Sequence, residues 1–381
     1  MNFIYYNPVK IIFGIGSLRE LNKFINSSSH ILFVYGKESI KNNGTYNSIL
    51  RLLKNNFIIE YPGVTSNPTY KNCKIAANFV KNNNIDFILA VGGGSVIDFA
   101  KYTAALSCVD ANENNWELFK NHNNVKRAIP IGVVLTNPGT GTEMNFNAVI
   151  SNDATGEKHT FRSYHYYPKF SILDPELMMS LPKQQICNGI IDSFSHVIEQ
   201  YLTYPVNAWV QDKFSEGLLS ILYNIGTNYI DNIYNYDIMS NYMWTSTNAL
   251  NGIIGCGVPQ DWSSHIIAHA ITSSFNIDHA GTIAIVLPGV IKFLKEEKKD
   301  KIIQMIHNVF HLCSCTNNDY AINIIEKFFN SLGKQTYLKS YQLDESSIDK
   351  ILNHVVLPKE YIGEKTNINI DVIKQILTSR L

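Results

Sequence analysis

Asp192 and His196 stand four residues apart in Gly189-Ile190-Ile191-Asp192-Ser193-Phe194-Ser195-His196-Val197-Ile198-Glu199. The run holds no proline and spaces its apolar residues at helical intervals, so it predicts a helix, on which positions i and i+4 share a face. His265 and His269 repeat the spacing in Asp261-Trp262-Ser263-Ser264-His265-Ile266-Ile267-Ala268-His269, and His279 follows after a break in Ile277-Asp278-His279-Ala280-Gly281. Carboxylate and imidazole together are a donor set for a divalent ion such as Zn²⁺ or Fe²⁺. A single histidine in an apolar helix is more often a hydrogen-bonded core residue. Two such pairs bring the metal reading level with that one, and spacing alone takes it no further.

Glycine suggests a second chemistry. Gly92-Gly93-Gly94-Ser95 directly follows the apolar run 86–91 and opens a helical pattern over 96–106. Glycines let the backbone approach a ligand closely and take positive φ. A helix N-terminus adds unpaired N–H groups and a partial positive charge. Three glycines in a row, with Ser95 as candidate N-cap, favour a diphosphate cradle over a plain tight turn. The run is neither G-x-G-x-x-G nor a Walker A loop, so it implies a nucleotide of unspecified kind. A polar loop, Thr136-Asn137-Pro138-Gly139-Thr140-Gly141-Thr142-Glu143, follows the apolar run 129–135, at a strand end of the sort where open α/β sheets bind ligands. An ordinary Thr/Gly turn would explain it equally well.

These residues need elements to position them. Strands are expected at 8–16, 31–35, 57–60, 86–91 and 129–135, with helices at 17–26, 45–54 and 69–82 and an edge hairpin over 147–174. That alternation predicts a doubly wound parallel sheet. Past Pro182 the strand-like runs cease, and helices are expected at 185–203, 208–228, 235–252, 259–275, 281–294, 298–311, 317–331, 345–353 and 370–379. The expected organisation is a dinucleotide-binding α/β domain over 1–182 and an all-helical metal-binding domain over 183–381, with the active site in a cleft between them. A formal net charge of zero offers no field to attract nucleic acid or an anionic membrane. No apolar run is long enough to span a bilayer, and residues 1–8 lack the features of a signal peptide. The six cysteines form no paired CxxC array, Cys313 and Cys315 making only a lone C-x-C. Reduced thiols in the cytoplasm are the expectation.

Taken together, the motifs resemble the iron-containing (group III) alcohol dehydrogenase family, in its butanol dehydrogenase and NADPH-dependent aldehyde reductase branch. The residues that carry this are Gly92-Gly93-Gly94-Ser95-Val96-Ile97-Asp98, Leu173-Asp174-Pro175, and the run 192–201. They continue in Gly257-Val258-Pro259-Gln260-Asp261-Trp262-Ser263-Ser264-His265, in Asp278-His279-Ala280, and in Ala284-Ile285-Val286-Leu287-Pro288. The resemblance covers nearly the whole chain. It implies a Rossmann-like N-terminal domain, a helical C-terminal domain, and metal ligands at Asp192, His196, His265 and His279. Cofactor contacts are implied for Gly93, Gly94, Ser95, Asp98, Thr136, Thr140, Thr142, Asn145 and Leu177. Lys158 and Asn67 match cofactor-side positions, although a hairpin lysine and a turn asparagine explain them as well. The family's second loop commonly reads T-x-x-A-T-G-S-E; here Gly139 and Thr142 depart from it but keep the hydroxyls. In the turn after residues 31–35, Gly36, Lys37 and Ser39 favour NADP(H) over NAD(H), while Glu38 counts against it.

The implied activity is hydride transfer between NAD(P)H and a short-chain aldehyde or primary alcohol such as butyraldehyde or butanol. One divalent metal, Fe²⁺ or Zn²⁺, would act as a Lewis acid. His269 is the candidate proton relay, with a packed pocket histidine as the alternative. Phe146, Phe194, Trp262 and Ile266 are candidate substrate-side residues and equally candidate core. A homodimer through an N-terminal edge strand is implied by resemblance. Two rival readings stand beside this one. The first is a glycerol-dehydrogenase-like polyol dehydrogenase or a related lyase. The second is a binding protein that kept the fold without catalysis.

Overall fold

The computed structural model describes residues 1–110, 114–313, 317–357 and 360–381, which leaves Cys315 outside the described residues. Two compact units emerge: Tyr6–Pro182, and Lys183–Leu381 together with Met1–Tyr5.

In the first unit the elements are β1 (Lys10–Phe13), β2 (His30–Tyr35), α1 (Ser39–Asn42), α2 (Thr45–Leu52), β3 (Phe57–Tyr61), α3 (Tyr70–Asn82), β4 (Phe87–Gly93), α4 (Gly94–Leu106), α5 (Asn115–Lys120), β5 (Ile131–Asn137), β6 (Asn147–Ser151), β7 (Lys158–Arg162) and β8 (Phe170–Leu173). Six of the strands form one sheet in the order β1-β8-β5-β4-β2-β3, every neighbouring pair parallel. β2, β4 and β5 are buried along almost their whole length, as strands covered on both faces must be. Their continuous apolar runs made them readable. The chain steps outward from β2 to β3, returns to β4 on the other side of β2, and continues outward to β5. That reversal is a topological switch point, where the loops leaving neighbouring strands diverge and open a crevice. Gly36 follows β2, and Gly94 opens α4 directly after β4.

Two expectations need correction here. Only part of the hairpin expected over 147–174 is one. β6 and β7 pair antiparallel as a separate two-stranded sheet, whereas β8 inserts between β5 and β1 in the main sheet. Four residues are too few for side-chain periodicity to reveal a strand's partners, and both partners of β8 are distant in sequence. The helix expected over 17–26 is a tight 3-10 helix, Ser17–Lys23, entered through Gly16 at φ 71°.

The second unit is largely helical, with an isolated antiparallel bridge between Ile362 and Ile368 that the all-helical expectation did not contain. Its helices are α6 (Lys183–Tyr201), α7 (Trp209–Asn224), α8 (Tyr236–Ala249), α9 (Ser263–Phe275), α10 (His279–Phe293), α11 (Lys299–Asn308), α12 (Asn318–Ser331), α13 (Glu345–Leu352) and α14 (Ile370–Thr378). α9 and α10 pack on each other, and α10 packs on α6. α9 begins at Ser263 rather than 259, because Trp262 sits in the left-handed region at φ 62°. Asn276, at φ 54°, closes α9 and turns the chain into α10.

Candidate metal centre and dinucleotide loops

Three helices deliver the four candidate ligands. Asp192 and His196 lie on consecutive turns of α6, His265 in the first turn of α9, and His279 at the first position of α10. Asp192 Oδ1 is the point they share. It is 3.5 Å from His279 Nε2, 3.7 Å from His196 Nε2 and 3.9 Å from His265 Nε2. Donor atoms of Asp192, His265 and His279 all fall within 4.8 Å of one another. The His196 and His265 rings stack with centroids 4.8 Å apart. His269, one turn past His265 on α9, has its ring 5.2 Å from that of His279 and 6.4 Å from that of His265.

The donor set suits a divalent cation. Asp192 Oδ1 and His265 Nε2 are both buried and have no hydrogen-bond partner among the described residues. A buried polar atom left in that state costs about 1–3 kcal/mol. One cation facing both atoms removes the cost for both. The electrostatics agree. Burial opposes a charge on Asp192, yet His196, His265 and His279 outweigh it and hold the carboxyl well below the usual carboxylate range.

Two of the candidate ligands, His265 and His279, are positioned by neighbouring groups. Glu199, one turn beyond His196 on α6, accepts from the Ser264 N–H at 2.7 Å through one oxygen and meets His265 Nδ1 through the other. With Nδ1 donating to a carboxylate, Nε2 is the nitrogen left facing Asp192, and once it gives up its proton the ring is in the tautomer a metal ligand needs. Asp278 caps α10 by accepting from the Gly281 N–H at 3.1 Å, and its other oxygen pairs with Lys334 at 2.8 Å, which fixes the helix start that carries His279. The Ser193 hydroxyl meets that of Ser246 at 2.8 Å and ties α6 to α8. Neither Lys334 nor the role of Glu199 was read from the sequence. Asp192-x-x-x-His196-x-x-Glu199 does place three polar residues along one buried helix, and that was the available signal.

In the other unit, the loops singled out by sequence sit at the carboxyl ends of β2, β4 and β5. Gly92, Gly93 and Gly94 have no positive φ. Their lack of a side chain serves close packing: a Cβ on Gly92 would lie 2.6 Å from Val96, and one on Gly94 would lie 2.5 Å from Thr140. The third glycine thus brings the first loop against the second. The N-cap of α4 is Gly93, and Ser95 lies within the first turn. No described side chain caps that helix, so its first N–H groups suit a phosphate. Asp98 and Thr142 face inward: the Thr142 hydroxyl donates to Asp98 Oδ1 at 2.6 Å, and the Val149 N–H donates to Oδ2 at 3.0 Å. Lys101, missed by sequence reading, is fully buried beneath the second loop. It donates to the carbonyls of Thr142, Asn145 and Asn147 at 2.6, 2.9 and 2.9 Å, and to Asn145 Oδ1 at 3.2 Å. Burial pushes its pKa down to about 8, against the pull of Asp98 and Glu143. A lysine three residues after an aspartate in an otherwise apolar helix was the overlooked sign. Lys158 donates to Asn67 Oδ1 at 2.9 Å, so these two candidates form a pair. Lys37, Glu38 and Ser39 are exposed after Gly36, and Glu38 leans toward Lys41 at 3.4 Å. Thr136 is buried at the end of β5, and Leu177, partly buried, packs on the core beneath the sheet.

Residues 8–175 match the model of the iron-containing alcohol dehydrogenases, and residues 186–381 match that of the C-terminal region of the same family. The chain belongs to the iron-containing alcohol dehydrogenase family. Among its relatives is the NADPH-dependent aldehyde reductase YqhD of Escherichia coli, 39% identical over 98% of each chain. Another is the probable NADH-dependent butanol dehydrogenase 2 of Bacillus subtilis, 34% identical over the full length of both. The crystal structure of the Escherichia coli protein superposes with a TM-score of 0.95 at 38% identity, covering 100% of this chain and 99% of that one. The NADH-dependent butanol dehydrogenase A of Thermotoga maritima gives a TM-score of 0.92 at 30% identity, over 100% and 98%. As a member of this iron-containing alcohol dehydrogenase branch, the chain is a metal-dependent, nicotinamide-dependent oxidoreductase of alcohols and aldehydes.

Proposed function

We propose that this enzyme reduces short-chain aldehydes with NADPH, using one divalent cation held by Asp192, His196, His265 and His279. One observation carries the reading: three imidazole Nε2 atoms gather within 3.5 to 3.9 Å of a single buried carboxylate oxygen. A cation bound there supplies Lewis acidity toward the substrate oxygen. A nicotinamide, where bound, would supply the hydride for the carbonyl carbon, which leaves a proton for the chain to deliver to the oxygen.

The chain's own residues do the rest. Asp192 and the three imidazoles keep their donor atoms converged, and Glu199 and Asp278 hold His265 and the start of α10 in place. His269, adjacent to both His265 and His279, passes a proton from its imidazole nitrogen to the product oxygen. The first turn of α4 binds diphosphate through its N–H groups. Lys101, Asp98, Thr142 and Asn145 shape the second loop from beneath, so Thr136 and Thr140 are the hydroxyls left to meet the dinucleotide. Lys158, oriented by Asn67, would contact the nicotinamide ribose of a bound dinucleotide. Leu177 bears on the cofactor through packing. NADP(H) rather than NAD(H) is supported by exposed Lys37 and Ser39 beside Gly36, and by the pairing of Glu38 with Lys41, which offsets its charge. The NADPH in the name of the Escherichia coli relative points the same way, while the Bacillus relative is named for NADH.

Fe²⁺ and Zn²⁺ both accept this donor set. β1 ends the sheet, with Phe13 and Ile15 exposed at its exit, which supports a homodimer through that edge. Free thiols support a cytoplasmic setting, and no described helix is long and apolar enough to cross a membrane. The test is butyraldehyde reduction with each dinucleotide after chelation and after add-back of Fe²⁺ or Zn²⁺. Activity should vanish on chelation, return with about one equivalent of metal, and favour NADPH. Activity that survives complete demetallation overturns the reading.

A further inference from the structure

Lys298 lies between α10 and α11 and is buried. Its ammonium donates to the Leu202 carbonyl just beyond α6 at 2.6 Å, to Asp261 Oδ2 at 2.6 Å and to Glu364 Oε2 at 3.0 Å. Three segments far apart in sequence therefore meet on one cation. Asp261 is fixed on its other sides as well. Its N–H donates to the Glu199 carbonyl at 2.9 Å, and its Oδ1 accepts from the Ser263 N–H at 3.0 Å and from the Ser263 hydroxyl.

Between Asp261 and Ser263 stands Trp262, at φ 62°. A bulky L-residue takes that conformation only where its neighbours impose it. The indole Nε1–H donates to Gln260 Oε1 at 2.8 Å. Its ring centroid is 5.4 Å from that of His265 and 6.1 Å from that of His196. The side chain is half-buried. The indole thus lies against two candidate ligand rings with part of its surface still accessible.

We propose that Lys298, Asp261 and Glu364 form a clamp that fixes Trp262, and that the fixed indole limits the bulk of the aldehyde able to reach the cation. The clamp residues are positioning residues and Trp262 is a specificity determinant. This rests on the metal reading of Asp192, His196, His265 and His279. Unbranched aliphatic aldehydes pass the indole; aldehydes branched at the α-carbon or bearing an aromatic ring are turned away by it.

The test compares three full-length, zinc-loaded proteins: the wild type, Trp262→Gly and the double variant Lys298→Met/Asp261→Asn. Glycine takes φ 62° without strain. The double variant removes opposite charges together and keeps an oxygen for the Ser263 N–H. The readouts are zinc content, acrylamide quenching of tryptophan emission, and kcat/KM for butyraldehyde, isobutyraldehyde and benzaldehyde. Trp262→Gly should keep its zinc and raise the benzaldehyde-to-butyraldehyde ratio of kcat/KM by about tenfold or more. The double variant should move the ratio the same way and show stronger quenching, because its indole is released. Glu364→Gln, which strands no charge, carries the same quenching and ratio test if the double variant does not fold.

An unchanged ratio in Trp262→Gly overturns the size limit, as does loss of its zinc, which would make the indole a support of the ligands. Wild-type quenching and ratio in the clamp variants overturn the clamp. A zinc-loaded wild type that reduces none of the three aldehydes overturns the functional reading itself; one that reduces butyraldehyde while Trp262→Gly leaves the ratio unchanged overturns this inference alone.

Discussion

His265 has two ring nitrogens with opposite duties. Nδ1 faces Glu199, and Nε2 faces Asp192. Replacing Glu199 by Gln keeps the size of the side chain but removes the charge that orients the ring. Metal affinity should fall roughly 10- to 100-fold, measured by competition against a chromophoric chelator, with the helical circular dichroism unchanged. Wild-type affinity in that variant would remove Glu199 from the account. The same pair sets a pH dependence. Burial presses the His265 pKa down, but Glu199 and then Asp192 lift it to about 9. In the metal-free protein the ring is therefore protonated at neutral pH and must release a proton before it can bind metal. The sign follows: apparent affinity falls as pH drops below about 9, by about tenfold per pH unit for one displaced proton. Chelator competition between pH 6 and pH 8 measures this, and a flat profile contradicts it. The candidate ligands on α6 and α9 could be singled out because i, i+4 spacing is a local property of a helix. The ion pairs around them, Lys334 on Asp278 and Lys298 on Asp261, join partners 56 and 37 residues apart, and no local pattern announces such pairs.

Among the elements, the most readable were the buried central strands β2, β4 and β5, whose unbroken apolar runs admit little else. β8 was misassigned because four residues carry no usable period. α9 was started too early because nothing in Pro259-Gln260-Asp261-Trp262 announces a left-handed tryptophan; the preceding Asp261 is held by Lys298 and by the Glu199 carbonyl, both distant in sequence. The glycine loop was read as a phosphate-binding turn for a reason only partly right. Its glycines admit Val96 and Thr140 at close range and are not in the left-handed region. Gly94→Ala tests this directly. Its Cβ would intrude on Thr140 at 2.5 Å, so the unit should lose about 1–3 kcal/mol by overpacking. Urea denaturation measures the loss, and NADPH fluorescence titration should show weakened binding while metal content is unchanged. Unaltered NADPH affinity and stability would mean that the two loops need not touch.

For the whole molecule, the candidate dinucleotide loops fall in the unit Tyr6–Pro182 and the candidate metal ligands in the unit of Lys183–Leu381 with Met1–Tyr5. The boundary at Pro182 was readable because the strand pattern stops where the helical one begins, whereas the grouping of Met1–Tyr5 with the helical unit was not, since it rests on contacts distant in sequence. The choice of dinucleotide and of substrate was less legible, since it depends on the placement of side chains rather than on their types. The central claim is that three imidazoles and one carboxylate hold a single cation. X-ray absorption at the metal edge of the zinc-loaded protein tests it most directly. The prediction is about one zinc per chain with three nitrogen ligands and a carboxylate oxygen at roughly 2.0–2.2 Å, and loss of one nitrogen from that shell in His265→Ala. A shell of oxygens alone, or one unchanged in His265→Ala, would contradict the account.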